Sequence, residues 1–193
     1  MKTLSKLSFI LIWSCILFTA CKESDIEEMT EEELSSQKLT SLTELQGTWK
    51  LNVTLWGDAL ELPCYESRGT KDSLSRDITL VLSKDAAESS GLKININGQA
   101  PINLYTAIAE ILSYNSTDQE GTLSVSALGS TKIAGSNELL ACESRFYKLI
   151  ETAKNFRVIT DKKGQKTLYW GVINKSNSTL LYPGNYLIFE KVK

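Results

Sequence analysis

The chain of 193 residues contains no histidine. Histidine most often supplies the general base near neutral pH, and its imidazole is the commonest metal ligand in proteins. The acidic residues show no spacing that brings two carboxylates together, and no series of oxygen ligands resembles that of an EF-hand. We therefore expect no catalytic residues, no metal site and no cofactor, and we predict that the protein is not an enzyme.

Long apolar runs are also scarce, and the longest lies at the N-terminus. Two lysines, Lys2 and Lys6, accompany an apolar segment at residues 7–20. This segment is shorter than the roughly 20 residues that a membrane-spanning helix needs. The pattern is typical of an export signal that is removed from the mature protein.

The residues around the expected cleavage point favour a lipoprotein. Thr19 and Ala20 are small and stand directly before Cys21, as in a lipobox, although a leucine is commoner where Phe18 stands. A plain signal peptide that happens to precede a cysteine is the alternative. We predict that residues 1–20 are a lipoprotein signal peptide, that Cys21 is lipidated, and that the membrane is a partner through this anchor.

The charge balance excludes another class of partner. Removal of residues 1–20 takes away two of the 21 basic residues and none of the 23 acidic ones, which leaves a net charge of −4. Nucleic acids are disfavoured as partners because binding them requires clustered lysine and arginine. Residues 21–41 are rich in glutamate and predict an acidic tether. Its start, Lys22-Glu23 with Asp25, resembles the acidic export signal of Bacteroidetes surface lipoproteins, which implies an outer-membrane and surface location.

Residues 42–193 show the alternation of short β-strands and one helical pattern. Trp49, Leu51, Val53 and Leu55 alternate with polar residues, as in a half-buried antiparallel strand. Asn97-Gly98 predicts a tight turn, and the residues between 59 and 75 predict an irregular connection. Further strands are predicted around Ile78–Leu82, Leu92–Ile96, Ile102–Leu112, Leu123–Ala127, Phe156–Val158, Thr167–Val172, Leu180–Tyr182 and Tyr186–Val192. The run Ile102–Leu112 also fits the period of a helix, and the preceding turn signal and Tyr105 favour the strand.

The helical pattern lies between two of these strands. Apolar residues recur at steps of three and four, which places them on one stripe of a helix. They are Leu139, Cys142, Phe146, Leu149, Ile150 and Ala153. The expected fold class is α+β, with an antiparallel β-rich small barrel or a strongly bent sheet and one main amphipathic helix.

Cys64 and Cys142 are the two cysteines of the expected mature domain. Export makes a disulfide between them chemically feasible. Cys142 lies on the apolar stripe, where a free thiol would behave as a small hydrophobic residue. We predict that the two form a disulfide, with a buried free thiol at Cys142 as the alternative.

Several short motifs resemble the META/HslJ-like domain. They are Leu45-Gln46-Gly47-Thr48-Trp49-Lys50-Leu51, Asn97-Gly98 with Asn103 and Tyr105, Ser130-Thr131-Lys132-Ile133-Ala134 before a helix with Glu143 and Phe146, Phe156-Arg157-Val158, and Thr167-Leu168-Tyr169. The resemblance implies a small β-rich domain of the cell envelope, linked to stress or drug tolerance and without established catalysis. Relatives often carry cysteines at the positions of Ile102 and Gly135, so a disulfide between those positions is absent here.

Gly47-Thr48-Trp49 also resembles the first strand of a lipocalin-like barrel. A lipocalin-like carrier of a small hydrophobic ligand is therefore the alternative function. Lipocalins place their helix after the strands, whereas here strands follow the helix. This order favours the resemblance to the META/HslJ-like domain. We predict a lipid-anchored envelope protein that acts by binding or by structural support, with its ligand and protein partner unknown.

Overall fold

The computed structural model describes residues 43–64, 77–84, 93–174 and 183–193. Residues 43–45 are helical, and the other elements follow in chain order. They are β1 (Gly47–Gly57), β2 (Ala59–Glu61), β3 (Thr79–Lys84), β4 (Lys93–Gln99), β5 (Leu104–Asn115), β6 (Glu120–Ser130), α1 (Asn137–Glu151), β7 (Asn155–Thr160), β8 (Lys166–Ile173) and β9 (Gly184–Lys191).

The sheet closes on itself to form a barrel. Every paired strand is antiparallel to its neighbours, and the order runs β2-β1-β3-β4-β5-β6-β7-β8-β9, with a further pairing of β1 with β9. Eight strands form the closed barrel, and β2 is an additional strand beside the end of β1. The predicted β-rich barrel is confirmed, and the open, strongly bent sheet is excluded. The expectation of an irregular connection from residue 59 was wrong at its start, because Ala59–Glu61 pairs with β1.

A register shift divides the apolar residues of β1 between two clusters. Trp49 and Leu51 lie in the main core, whereas Leu55 packs with Tyr186 and Ile188 in a second cluster. The pairing of β1 with β9 shifts directly after Leu51. An extra residue in one strand moves the following side chains to the opposite face. The prediction that the alternating residues share one buried face was therefore wrong.

Asn97-Gly98 does not form the predicted turn, because both residues lie inside β4. The chain turns instead at residues 100–103, before β5 begins. Gly98 serves a different purpose: a Cβ at this position would collide with the carbonyl oxygen of Thr79 and the ring of Tyr105. Glycine is needed here for the close approach of a neighbouring strand and an aromatic side chain.

Helix α1 covers the barrel core with its apolar stripe. The Ser136 side chain caps the helix by accepting a hydrogen bond from the backbone N–H of Leu139 at 3.4 Å. All six residues of the predicted stripe are buried, including Ala153, which lies beyond the end of the helix. Glu143 is buried on the same side. Within the described ranges, no helix has both the length and the apolar character to cross a membrane.

Several predictions fall outside the described residues. These include the signal peptide at residues 1–20, the lipidated Cys21, the tether at residues 21–41 and the strand at Leu180–Tyr182. They remain predictions from the sequence.

Candidate functional site

The structure joins Cys64 and Cys142 in a disulfide, with their Cα atoms 5.4 Å apart. This separation is typical of disulfides. Cys64 follows β2, and Cys142 lies in the first half of α1. The bridge therefore connects the end of the β1–β2 hairpin to the helix that covers the core. Both cysteines are buried.

Near the disulfide, α1 brings a buried carboxylate onto the turn before β5. Glu143 is only 4% exposed. Its Oε2 accepts hydrogen bonds from the backbone N–H groups of Ile102 and Asn103, both at 2.8 Å, and its Oε1 accepts one from Asn103 Nδ2 at 2.6 Å. A buried carboxylate requires such donors to offset the loss of hydration. Glu143 thereby ties the helix to the β4–β5 turn.

Asn103 extends this contact to the segment that precedes α1. Its Oδ1 accepts hydrogen bonds from Thr131 Oγ1 at 2.9 Å and from the backbone N–H of Ile133 at 2.7 Å. The backbone N–H of Leu104 also donates to Thr131 Oγ1, at 3.1 Å. We call Asn103, Thr131 and Glu143 the polar junction. It connects the β4–β5 turn, the β6–α1 loop and α1 through side chains far apart in sequence.

Two tyrosines lie beside the polar junction. The Tyr105 ring packs edge-on against Phe146, with centroids 5.3 Å apart, and its hydroxyl donates to the carbonyl oxygen of Thr79 at 2.9 Å. Burial raises the pKa of Tyr105, and the nearby Tyr147 raises it further. Burial also raises the pKa of Tyr147 to about 12; the Ser130 side chain opposes this shift, and the charge of Glu143 adds to it.

Thr131 and Lys132 lie in the loop between β6 and α1. Thr131 belongs to the polar junction, and both residues are exposed. In the same loop, Ile133 has an exposed fraction of 53%. The backbone is thus fixed by Asn103 while the side chains of Lys132 and Ile133 face solvent.

The interior of the barrel is occupied by large side chains. Trp49, Tyr105, Phe156, Trp170 and Phe189 are each at most 1% exposed. A cavity of about 30 Å³ lies beside the disulfide. This volume is far below the roughly 300–1,000 Å³ of pockets that hold small organic ligands.

Two larger clefts open to solvent at the wall of the barrel. One of about 230 Å³ is lined by residues of β5, β6 and β7, including Tyr114, Glu120 and Arg157. The other, about 650 Å³, is a shallower groove between β6 and the end of α1, and Leu112 and Lys154 contribute to it. Both clefts reach buried core residues, Phe156 in the first and Leu123 in the second.

Among the described residues, no group of three or more cysteine, aspartate or glutamate side chains is arranged to hold a metal ion. No family model matches this chain, and no curated protein matches it. A solved structure that is similar to it is an NMR structure of a protein from Burkholderia xenovorans. The two share 19% sequence identity with a TM-score of 0.48, over 80% of this chain and 88% of that chain.

The sequence by itself does not show the polar junction as a unit. Asn103, Thr131 and Glu143 occur in the motifs that resemble the META/HslJ-like domain, but their contacts were not predicted. The position of Glu143 could have indicated its burial, because it follows Cys142 and lies next to the apolar stripe of the helix. Buried carboxylates require several donors, and the nearby polar motifs contain them.

Proposed function

We propose that this chain is a lipid-anchored protein of the bacterial cell envelope whose barrel is a non-catalytic META/HslJ-like domain. It acts by binding or by supporting envelope integrity. The observation that carries the proposal is the polar junction, because Asn103, Thr131 and Glu143 come from three separate motifs of the resemblance and meet in hydrogen-bond contact.

A second contact supports the same proposal. A Cβ placed on Gly135 would collide with the Cδ1 atom of Ile102, so the two positions lie side by side. The resemblance implies that relatives join these two positions by a disulfide. In this chain the isoleucine side chain occupies the space above the glycine, and an apolar contact replaces the cross-link.

The hydrogen bonds that Glu143 accepts within the fold support a role without catalysis. Both carboxylate oxygens accept hydrogen bonds from the β4–β5 turn, and the side chain is shielded from solvent. A general base must reach a proton of the substrate with a free lone pair. Glu143 is placed to hold the fold together rather than to accept a substrate proton.

The anchor is tested at Cys21. Mass spectrometry of the mature N-terminus should find a diacylglyceryl cysteine at this position, and Cys21→Ala should release the protein from the membrane fraction, since two acyl chains give stable attachment. Ser24→Ala, in the same segment of the chain, is the control and should stay with the membrane. An unmodified N-terminus, or cleavage at another residue, contradicts the anchor.

A lipocalin-like carrier is the second candidate, favoured by the closed barrel of eight antiparallel strands. The filled interior opposes it, because burying a hydrophobic ligand would require displacement of residues such as Trp49 and Trp170. Titration with a fluorescent fatty acid distinguishes the two candidates. We expect no saturable binding, whereas a one-to-one complex that quenches tryptophan fluorescence would favour the carrier.

A further inference from the structure

The two clefts at the wall of the barrel adjoin one another. The pairing of β6 with β7 covers only three residues of each strand, Glu120 to Thr122 and Asn155 to Arg157. The smaller cleft, of about 230 Å³, lies over this short pairing, and the groove of about 650 Å³ continues along β6 toward the end of α1. Thr122 and Asn155 line both of them. We call the continuous surface that they form the double cleft.

The double cleft is rich in neutral hydrogen-bonding groups. Ser113 Oγ and Thr122 Oγ1 lie 2.6 Å apart, and their hydrogen bond uses one of the two hydroxyl protons, so the second proton can be donated to a ligand. Asn155 Oδ1 accepts the backbone N–H of Ile173 at 3.3 Å. This bond engages the oxygen of the amide and leaves its two N–H groups to other acceptors. Ser124 adds an exposed hydroxyl in the larger groove.

The charged side chains of the double cleft balance one another. Arg157 Nε forms an ion pair with Glu120 Oε2 at 4.0 Å in the smaller cleft, and Glu151 and Lys154 line the larger groove. The described lining therefore holds two acids and two bases, with a net charge of zero. Asp118 lies nearby, where its Oδ2 accepts a hydrogen bond from a side-chain amide of the smaller cleft at 2.8 Å. This balance favours a ligand without net charge and disfavours phosphates and carboxylates.

Apolar groups complete the lining. Tyr114 stacks on Phe156 with centroids 6.0 Å apart and ring planes at 10°, and both rings border the smaller cleft. Leu112, with an exposed fraction of 58%, borders the larger groove. A sugar ring carries hydroxyl groups at its edge and C–H groups on its faces, so it can make hydrogen bonds and apolar contacts at once. The mixed lining of the double cleft matches this combination.

An extended peptide matches the same surface less well. Such a peptide would bind by adding a strand to the edge of β6. The backbone N–H of Leu123 already donates to the carbonyl oxygen of Lys154 at 3.0 Å. A few residues further on, the register between β5 and β6 shifts around Ala127, whose φ is 56°. The edge between these two points is too short for the series of backbone hydrogen bonds that strand addition requires.

We propose that the double cleft binds a neutral oligosaccharide, with one sugar unit in the smaller cleft and further units along the larger groove. The volume of the smaller cleft is below the roughly 300–1,000 Å³ of pockets that hold whole organic ligands, which limits it to one unit of a chain. Thr122 and Asn155 bind hydroxyl groups where the two parts meet. The inference rests on the proposed function only for its setting in the cell envelope, because the double cleft belongs to the barrel.

The test uses the chain without residues 1–20 and with Cys21→Ala, so that its outcome is independent of the lipid anchor. The labelled protein is applied to an array of neutral and acidic glycans, and the strongest neutral binder is titrated by calorimetry. We expect saturable binding whose affinity rises from one sugar unit to several, because longer chains occupy both parts of the double cleft. An absence of glycan binding, or a preference for acidic glycans, overturns the proposal.

Asn155→Asp locates the binding. It keeps the oxygen that accepts the N–H of Ile173 and replaces the amide donor by a carboxylate oxygen, so it should weaken binding roughly tenfold or more. Asn185→Asp is the matched control, because Asn185 Oδ1 likewise accepts the backbone N–H of Gly57, at 2.9 Å, and Asn185 is outside the described lining. It adds the same charge and should leave binding nearly unchanged. Equal weakening by the two variants contradicts the double cleft as the site, and thermal unfolding verifies that both are folded.

Thr122→Val gives an independent test that preserves the charge and the shape of the side chain. Loss of this hydroxyl, where the two parts meet, should weaken binding severalfold. Thr106→Val, at an exposed position of β5 outside the described lining, should have no effect. Full affinity in Thr122→Val and Asn155→Asp overturns the assignment. So does a peptide from a random library that binds the parent, fails to bind Asn155→Asp, and displaces any bound glycan, since the double cleft would then be a peptide site.

Discussion

At the scale of single residues, Glu143 joins α1 to the turn before β5. Its carboxylate is buried and accepts three N–H groups, two from backbone and one from Asn103. Hydrogen bonds to a charged acceptor are stronger than those between neutral groups. Removal of the acceptor leaves its donors without a partner in a site that excludes water, and this costs more than the bond itself contributes.

Glu143→Ala should therefore lower the free energy of unfolding by roughly 3–5 kcal/mol. Urea denaturation followed by tryptophan fluorescence measures the change. The exposed Glu138 in the first turn of the same helix is the matched control, and Glu138→Ala should cost about 1 kcal/mol or less through the helix dipole. Similar losses in the two variants would show that the polar junction contributes little.

Tyr147 gives a prediction for alkaline pH. Burial raises its pKa from 10.0 to about 12 in the folded protein. A raised pKa means that the folded state holds the proton more tightly, so this contribution is complete below pH 10 and is lost as pH rises through 12. The difference in unfolding free energy between the parent and Tyr147→Phe should shift in favour of the variant over this interval. A constant difference from pH 9 to pH 12 would contradict the raised pKa.

At the scale of elements, α1 and the strands on either side of it form the unit that completes the core. The helix has 15 residues, and six of them are buried. Their burial and the Ser136 cap together fix the helix against the barrel. The stripe is predictable because its residues repeat with the period of the helix itself.

Phe146→Ala should cost roughly 3–5 kcal/mol through lost burial and the cavity that remains. Thermal unfolding measures this loss. Lys148→Ala and Glu151→Ala remove exposed side chains from the same helix and should each change the stability by about 0.5 kcal/mol or less. If Phe146→Ala is as stable as the parent, the helix is not packed on the sheet and its apolar face is available to a partner.

At the scale of the whole molecule, two long-range connections close the structure. The pairing of β1 with β9 brings Trp49 opposite Lys191 and closes the barrel. The disulfide joins residues separated by 78 positions and connects the β1–β2 hairpin to α1. The disulfide restricts the unfolded chain, and the pairing of β1 with β9 completes the core. Both connect residues that are distant in sequence.

On the chain-entropy argument, a disulfide across 78 residues stabilises the folded protein by about 4 kcal/mol. Peptide mapping without reduction should recover Cys64 and Cys142 joined, and reduction should lower the unfolding midpoint of the parent. The control is Cys64→Ala with Cys142→Ala, whose midpoint should not respond to the reductant. Free reaction of both thiols in unfolded, unreduced protein would rule out the bridge.

The candidate site was only partly predictable, because its residues come from separate parts of the chain. The motifs containing Asn103, Thr131 and Glu143 were recognised from their order in the sequence. Their hydrogen bonds depend on where the β4–β5 turn lies relative to α1, and that placement exists only in the assembled barrel.

The sequence alone determined most of the extended segments, the helix α1 and the apolar side chains that α1 buries. Alternation and helical periodicity are local properties, so they can be recognised in the sequence without knowledge of the fold. The tertiary structure decided the closure of β1 on β9, the register shift after Leu51 and the use of Gly98 inside a strand rather than in a turn. These features depend on which strand lies beside which, and local patterning cannot specify a partner that is more than a hundred residues away.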